Sequence, residues 1–201
     1  MKDIVILDTG CCNLTSLLAA VKRLGVEPLV TAEPAQAKRA SRLFLPGVGT
    51  AQAAMRELQK RDLLSCITES RCPVLGICLG MQLLGAESEE TGGVKMLNVI
   101  PESVGKLQVG RLTLPHMGWN RVKPIIKDPL FEGLDSELGE YFYFVHSYAF
   151  NLNSYTIAST EYGVTFSAAV RQKNFWGVQF HPERSGAAGL KLLRNFVEGD
   201  L

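Results

Sequence analysis

Five residues, Gly76-Ile77-Cys78-Leu79-Gly80, constrain the fold of this chain more than any other stretch. Glycines flank a nucleophilic side chain directly after the apolar pair Val74-Leu75, which fits a sharp strand-to-helix turn holding that side chain proud of a parallel sheet. Such a turn strains its apex, and Gly76 and Gly80 lack the Cβ atoms that would keep strand and helix apart. The Cys78 thiol then lies at a helix N-terminus, where main-chain N–H groups lower a cysteine pKa from a reference of about 8.5. The N–H of Leu79 is placed to hold an oxygen that gains charge when Cys78 attacks a carbonyl.

A hundred residues later, Phe175-Trp176-Gly177-Val178-Gln179-Phe180-His181-Pro182-Glu183 reads as a strand from its aromatic and β-branched content. Pro182 predicts an extended end, on which His181 and Glu183 face the same way. A carboxylate two residues on can orient an imidazole and stabilise its protonated form. Cys78, His181 and Glu183 thus spell nucleophile, base and orienting acid. The alternative, a core thiol and a strand-end histidine, needs the elbow glycines and the His-Pro-Glu triplet to coincide by chance.

With 201 residues the chain is long enough for one sizeable core, so one domain over 1–201 is expected. Its 21 basic and 20 acidic side chains, net +1, give no footprint for nucleic acid or an anionic membrane. No apolar run approaches the roughly 18 residues of a membrane span, and Ile4-Val5-Ile6-Leu7 is too short for a signal-peptide core, so a cytoplasmic protein is expected. Five cysteines, with Cys11 and Cys12 adjacent and no Cys-x-x-Cys pair, indicate neither a disulfide framework nor a zinc site. Cys66 and Cys72 read as core or surface thiols. No metal or organic cofactor is called for.

Strands and helices alternate through the first half, predicting an α/β fold with an open, mostly parallel sheet flanked by helices. The expected elements are a strand over 2–8, a helix over 14–24 with Asn13 as N-cap and Gly25 as stop, and a strand over 27–31. A strand over 42–45 is stopped by Pro46-Gly47-Val48-Gly49, an alanine-rich helix covers 50–60, and a strand over 73–76 feeds the elbow. The second half, with the aromatic run Tyr141 to Val145, predicts an antiparallel extension of the sheet. A closing helix over 186–198 carries Leu190, Leu193 and Val197 on one face.

The loops at 8–13, 46–49 and the elbow fall at the carboxyl ends of the strands, where ligands sit in open α/β sheets. The turn of Val48 and Gly49 is the natural source of a second oxyanion donor beside Leu79, with Val48 N–H as the candidate. Glycine on either side lets that peptide rotate at low steric cost, which predicts a switchable donor.

Pro46-Gly47-Val48-Gly49, Gly76 through Gln82 and His181-Pro182-Glu183 together resemble the triad, or class I, glutamine amidotransferases, with a flavodoxin-like fold, across essentially the whole chain. His116-Met117-Gly118-Trp119-Asn120 and Val145-His146-Ser147-Tyr148 resemble the branch that serves as glutaminase subunit in histidine biosynthesis. That resemblance implies hydrolysis of L-glutamine to glutamate and transfer of ammonia to a cyclase subunit, a β/α barrel absent here, in a heterodimer. It also implies that Gln82, His146, Ser147 and Tyr148 bind the substrate. His116 would support structure and the subunit contact rather than catalysis, and Asn13, Ser16, Met117, Trp119, Asn120 and Arg184 would meet the partner. Cys11-Cys12 departs from the family's first turn, which often has further glycine beside Asn13. Two other readings stay open on sequence: another cysteine enzyme on the same fold, such as a peptidase or a different synthase's glutaminase, and a non-catalytic module. The segment 116–120 argues against the first and the intact triad against the second.

Overall fold

A computed structural model describes residues 3–10 and 14–201. Its first strand, β1 (Ile4–Leu7), is buried along its whole length. Ile4 and Ile6 enter one hydrophobic cluster, Val5 and Leu7 a second. Successive side chains of a strand point to opposite faces, so a strand apolar on both belongs inside a sheet covered on both sides. There follow α1 (Leu14–Lys22), β2 (Leu29–Thr31), α2 (Pro34–Ala37), β3 (Arg42–Gly47), α3 (Ala51–Lys60), α4 (Leu63–Thr68), β4 (Val74–Cys78) and α5 (Leu79–Leu83). Gly25, at φ +81, ends the first helical segment with its N–H on the carbonyl of Lys22. Thr50 caps α3, its hydroxyl accepting from the Ala53 N–H at 3.3 Å.

The second half is almost all strand: β5 (Glu87–Ser88), β6 (Val94–Lys95), β7 (Ser103–Lys106), β8 (His116–Pro124), β9 (Glu140–His146), β10 (Tyr148–Phe150), β11 (Thr156–Tyr162), β12 (Val164–Gln172) and β13 (Phe175–Val178), before α6 (Gly186–Glu198). Nine strands form one sheet in the order β2-β1-β3-β4-β13-β12-β11-β8-β9. The first five pair in parallel, in the 2-1-3-4-5 order of flavodoxin-like sheets. From β13 to β9 every pairing is antiparallel, which is the predicted extension. A separate four-stranded sheet, β10-β7-β5-β6, lies outside the sequence-based expectations.

Several boundaries move. β1 covers Ile4–Leu7 rather than 2–8, and Lys2 lies outside the described residues, as does Asn13 with its expected capping role. α1 ends at Lys22, β2 begins at Leu29, and β4 spans Val74–Cys78, so it carries the nucleophile itself. β3 runs on through Pro46 and Gly47, which were expected to stop it. β1 pairs with β3 only as far as Phe44, so Pro46 falls where one side of the ladder has ended. α2 and α4 are too short to show a helical period. α6 has the predicted bounds, but its buried residues are Gly189, Leu192, Leu193, Asn195, Phe196 and Val197, and Leu190, expected there, is half-buried. Phe196 meets Phe44 edge-on at 4.8 Å between ring centroids, and burial of one such ring stabilises by roughly 1.5–3 kcal/mol.

The register decides where the site lies. Gly47 pairs with Cys78, and Gly177 and Val178 pair with Gly76 and Ile77. The carboxyl ends of β3, β4 and β13 therefore stand side by side. Among the described residues no helix is long and apolar enough to cross a membrane.

Candidate active site

Cys78 closes β4 at φ +53, ψ −111, a backbone state that costs on the order of 1–3 kcal/mol for a residue with a Cβ. The flanking glycines explain how the turn survives. A Cβ on Gly76 would lie 2.6 Å from the carbonyl oxygen of Gly80, and one on Gly80 only 1.8 Å from that of Leu45. The thiol is buried, 3.9 Å from the Val145 carbonyl to which it donates.

His181 arrives from the next strand. Its N–H donates to the Tyr143 carbonyl of β9 at 2.8 Å, and its own carbonyl accepts the Ser185 hydroxyl at 2.6 Å. The Ser185 oxygen in turn accepts the Tyr143 N–H at 3.0 Å. This three-way clamp fixes the main chain, while Nδ1 of the imidazole meets Glu183 Oε1 at 2.7 Å. The predicted extended arrangement of His181 and Glu183 is corrected here. Only His181 is extended, and Pro182–Arg184 form a 3-10 turn that folds the carboxylate back onto its histidine. Proline fits the first position of such a turn because its missing N–H has no partner to lose. α6 presses on the same turn: a Cβ on Gly189 would lie 1.9 Å from the Pro182 carbonyl oxygen.

Because a carboxylate only accepts, Nδ1 carries the proton and Nε2 is left for chemistry. Among the described residues the buried Nε2 atom and Glu183 Oε2 have no hydrogen-bond partner. Burial disfavours the imidazolium, but Cys78 and Glu183 outweigh it and raise His181 from 6.5 to about 10. A base poised to hold a proton beside a thiol is what a thiolate–imidazolium pair requires.

A cavity of about 370 Å³ opens over these groups. It brings together Val48, Gly49 and Leu79 with Gln82, His146, Ser147 and Tyr148 and with all three triad positions. The loop over 8–13 does not line it among the described residues, though buried Thr9 donates to the Pro46 carbonyl at 3.4 Å. Gln82 is buried rather than solvated, and its Nε2 donates to the Tyr148 carbonyl at 2.8 Å and to Gln179 Oε1 at 3.0 Å. It therefore offers the pocket a carbonyl oxygen. His146 is also buried, its Nδ1 2.9 Å from the Tyr148 carbonyl and its Nε2 3.2 Å from Nδ1 of His116.

Beyond the cavity, Met117 and Trp119 are 62% and 57% exposed, so Trp119 is not a core residue. Trp119 meets Tyr143 edge-on, and the Arg184 guanidinium lies 4.5 Å over the same Tyr143 ring. Asn120 commits its amide to the fold, donating to the Glu161 carbonyl and accepting from the Arg121 N–H. Ser16 is half-buried on α1, while Asn13, Cys11 and Cys12 lie outside the described residues. Among the described residues no cluster of three or more His, Cys, Asp or Glu could hold a metal.

Sequence reasoning missed two lining or neighbouring groups. Glu90 lines the cavity and its carboxylate accepts the Ala51 N–H at 2.6 Å. It sits in the acidic stretch Glu87-Ser88-Glu89-Glu90, where no local pattern marks one carboxylate for a site. Gln179 is fully buried, its Nε2 3.8 Å from Cys78 Sγ, and no hydrophobic pattern announces a buried amide.

Residues 5–199 match the family described as glutamine amidotransferase class-I. Over 196 residues the chain is 58% identical to the imidazole glycerol phosphate synthase subunit HisH of Salmonella typhimurium, spanning 98% of this chain and 99% of that protein. It is 57% identical, over the same shares, to the subunit of that name in Escherichia coli K12. A solved glutamine amidotransferase superposes with a TM-score of 0.74 at 20% identity over 97% of both chains. The glutaminase domain of Trypanosoma brucei CTPS with bound acivicin gives 0.66 at 16% identity, covering 100% of this chain and 96% of that one. Those two likenesses speak to the fold. The chain belongs to the class I glutamine amidotransferases.

Proposed function

We propose that this chain is the glutaminase subunit of an imidazole glycerol phosphate synthase, acting in L-histidine biosynthesis as one domain over 1–201. The identity of 57–58% over nearly the whole length of relatives bearing that name supports it. The observation that carries the chemistry is Cys78 at its strained apex, under a cavity it shares with the clamped His181–Glu183 pair.

The Cys78 thiolate attacks the side-chain carboxamide carbon of glutamine, and the electron pair moves to the amide oxygen. Leu79 N–H and the turn of Val48 and Gly49 hold that oxyanion, with Val48 as the switchable donor. His181 gives its proton to the departing nitrogen, ammonia leaves, and a thioester remains. Water then loses a proton to His181 as it attacks, a second oxyanion collapses, and glutamate departs as the sulfur regains its electron pair. Glu183 keeps the imidazole in the tautomer this needs. Gln82 Oε1 and the Glu90 carboxylate suit the substrate's α-ammonium, while main-chain N–H groups and the Ser147 hydroxyl suit its carboxylate. His146 and Tyr148 complete that wall.

The partner in this reading is a cyclase subunit folded as a β/α barrel, met through Asn13, Ser16, Met117, Trp119, Asn120 and Arg184. Two exposed apolar side chains beside a guanidinium resemble the composition of an interface centre. The setting is the cytoplasm, with neither nucleic acid nor membrane as partner. Glutamate release is the test, for wild type and Cys78→Ala, alone and with a cyclase subunit plus its ribonucleotide substrate PRFAR. Activity that vanishes in Cys78→Ala and rises at least tenfold only with both additions is expected. Indifference to the cyclase discards the partner, and equal activity in the variant discards the nucleophile.

A further inference from the structure

Gln82 and Gln179 form a buried relay whose direction is set by chemistry. The Tyr148 carbonyl can only accept, so the Gln82 atom 2.8 Å from it is the nitrogen. That nitrogen has a second hydrogen, which goes to Gln179 at 3.0 Å, so the Gln179 atom facing it must be the acceptor Oε1. The other end of the Gln179 amide, its NH2, is then turned toward Cys78 Sγ at 3.8 Å. The Tyr148 carbonyl is itself anchored, since His146 Nδ1 also lies 2.9 Å from it. The main-chain N–H of Gln179 donates to Ala168 at 2.8 Å, and the residue has no exposed surface. This amide has no route to flip without orphaning a buried donor or acceptor.

We propose that Gln179 is a further catalytic residue, a fixed N–H donor to the Cys78 sulfur, with Gln82 as the positioning residue that holds its orientation. The inference rests on the reading of Cys78 as the nucleophile. The thiol's own hydrogen points to the Val145 carbonyl, so the face of the sulfur turned to Gln179 is free to accept. A neutral thiol accepts weakly, a thiolate strongly, so a donor fixed there favours the charged form. The same bond strengthens when the second tetrahedral intermediate collapses, because the carbon–sulfur electron pair returns to sulfur as glutamate leaves. Gln179 thus assists the thiolate's departure, where His181 assists that of ammonia.

The charged and titratable groups facing Cys78 are His181, Glu183 and Arg184 from the turn after β13, His146 from the end of β9, and Glu90 from the turn before β6. None of them changes in the two glutamine variants, and His181 is altered only in the control. The experiment follows iodoacetamide alkylation of Cys78 in the full chain against pH, read by mass spectrometry of its own peptide so that the other four cysteines do not contribute. Gln179→Met, similar in size and lacking the donor, is expected to move the thiolate midpoint up by about one unit, a tenfold smaller thiolate-to-thiol ratio. Gln82→Met moves it the same way by less, without touching the sulfur, and carries the test if Gln179→Met does not fold. Unmoved midpoints in folded variants, with His181→Asn moving its own, overturn the donor and leave the nucleophile standing. A wild-type Cys78 that alkylates like an ordinary thiol overturns both.

Discussion

The chain has three histidines, and although burial lowers all of them, their neighbours shift them in opposite directions. His181 is raised because a thiol and a carboxylate face it. His146 falls to about 3 and His116 to about 4, chiefly through burial. His116 is stacked between Tyr162 at 4.1 Å and Phe144 at 4.9 Å, which fits the structural half of the role that the family resemblance implies. Both lowered histidines bind protons more readily unfolded than folded between about pH 3 or 4 and 6.5. Their contribution is therefore present above about pH 6.5 and is lost as the pH falls. Urea denaturation at pH 7 and pH 4.5 should show a smaller acid loss for His146→Gln than for wild type. His181 works the other way: its contribution is full below about 6.5 and disappears as the pH rises through about 10. At this scale the sequence was legible where chemistry is spelled by neighbours, as in the elbow and His181-Pro182-Glu183. It was silent where a polar residue is buried by partners a hundred positions away, as with Gln179.

Among the elements, the readable ones carry a strong local signal. β1 and the Leu43-Phe44-Leu45 stretch of β3 are unbroken apolar runs, α3 has the Thr50 cap, and α6 has a full helical period. β5 and β6, two residues each, have no room for alternation, which is why the smaller sheet escaped notice. The junction of α6 with the triad turn was equally unreadable, since Gly189 looks like any helical glycine. Its role is a close approach: the Pro182 carbonyl occupies the space a methyl group would need. Gly189→Ala is expected to destabilise by about 1–3 kcal/mol through overpacking. It should also lower kcat more than KM, because the displaced turn carries His181. Thermal melts with glutamine kinetics check both halves. Alanine tolerated with full activity would mean that α6 can retreat without moving the histidine.

Across the molecule, contacts between distant segments hold the two halves together. Asp128, between β8 and β9, accepts from Arg171 at 2.9 Å, from the Trp176 indole at 3.1 Å and from the Leu130 N–H at 2.9 Å. Arg171 also lies 4.4 Å over the Trp176 ring. Asp128→Ala leaves a buried indole N–H and a part-buried guanidinium without their acceptor, at a cost of about 2–3 kcal/mol in chemical denaturation. Alternation and turn residues made the parallel and antiparallel halves legible, but not that β13 joins them. That strand pairs with β4 on one side and β12 on the other, so the join is made by residues far apart in the chain. Its position has a consequence for biosynthesis. When Cys78 leaves the ribosome, the β4 edge has no neighbour, and about a hundred more residues must be translated before Phe175 arrives. At about 5–20 residues per second this leaves an open, apolar edge for roughly five to twenty seconds. Arg42 waits still longer, since two of its hydrogen bonds go to the carbonyls of Phe196 and Gly199. The nascent chain therefore acquires a nucleophile long before it acquires the histidine that activates it.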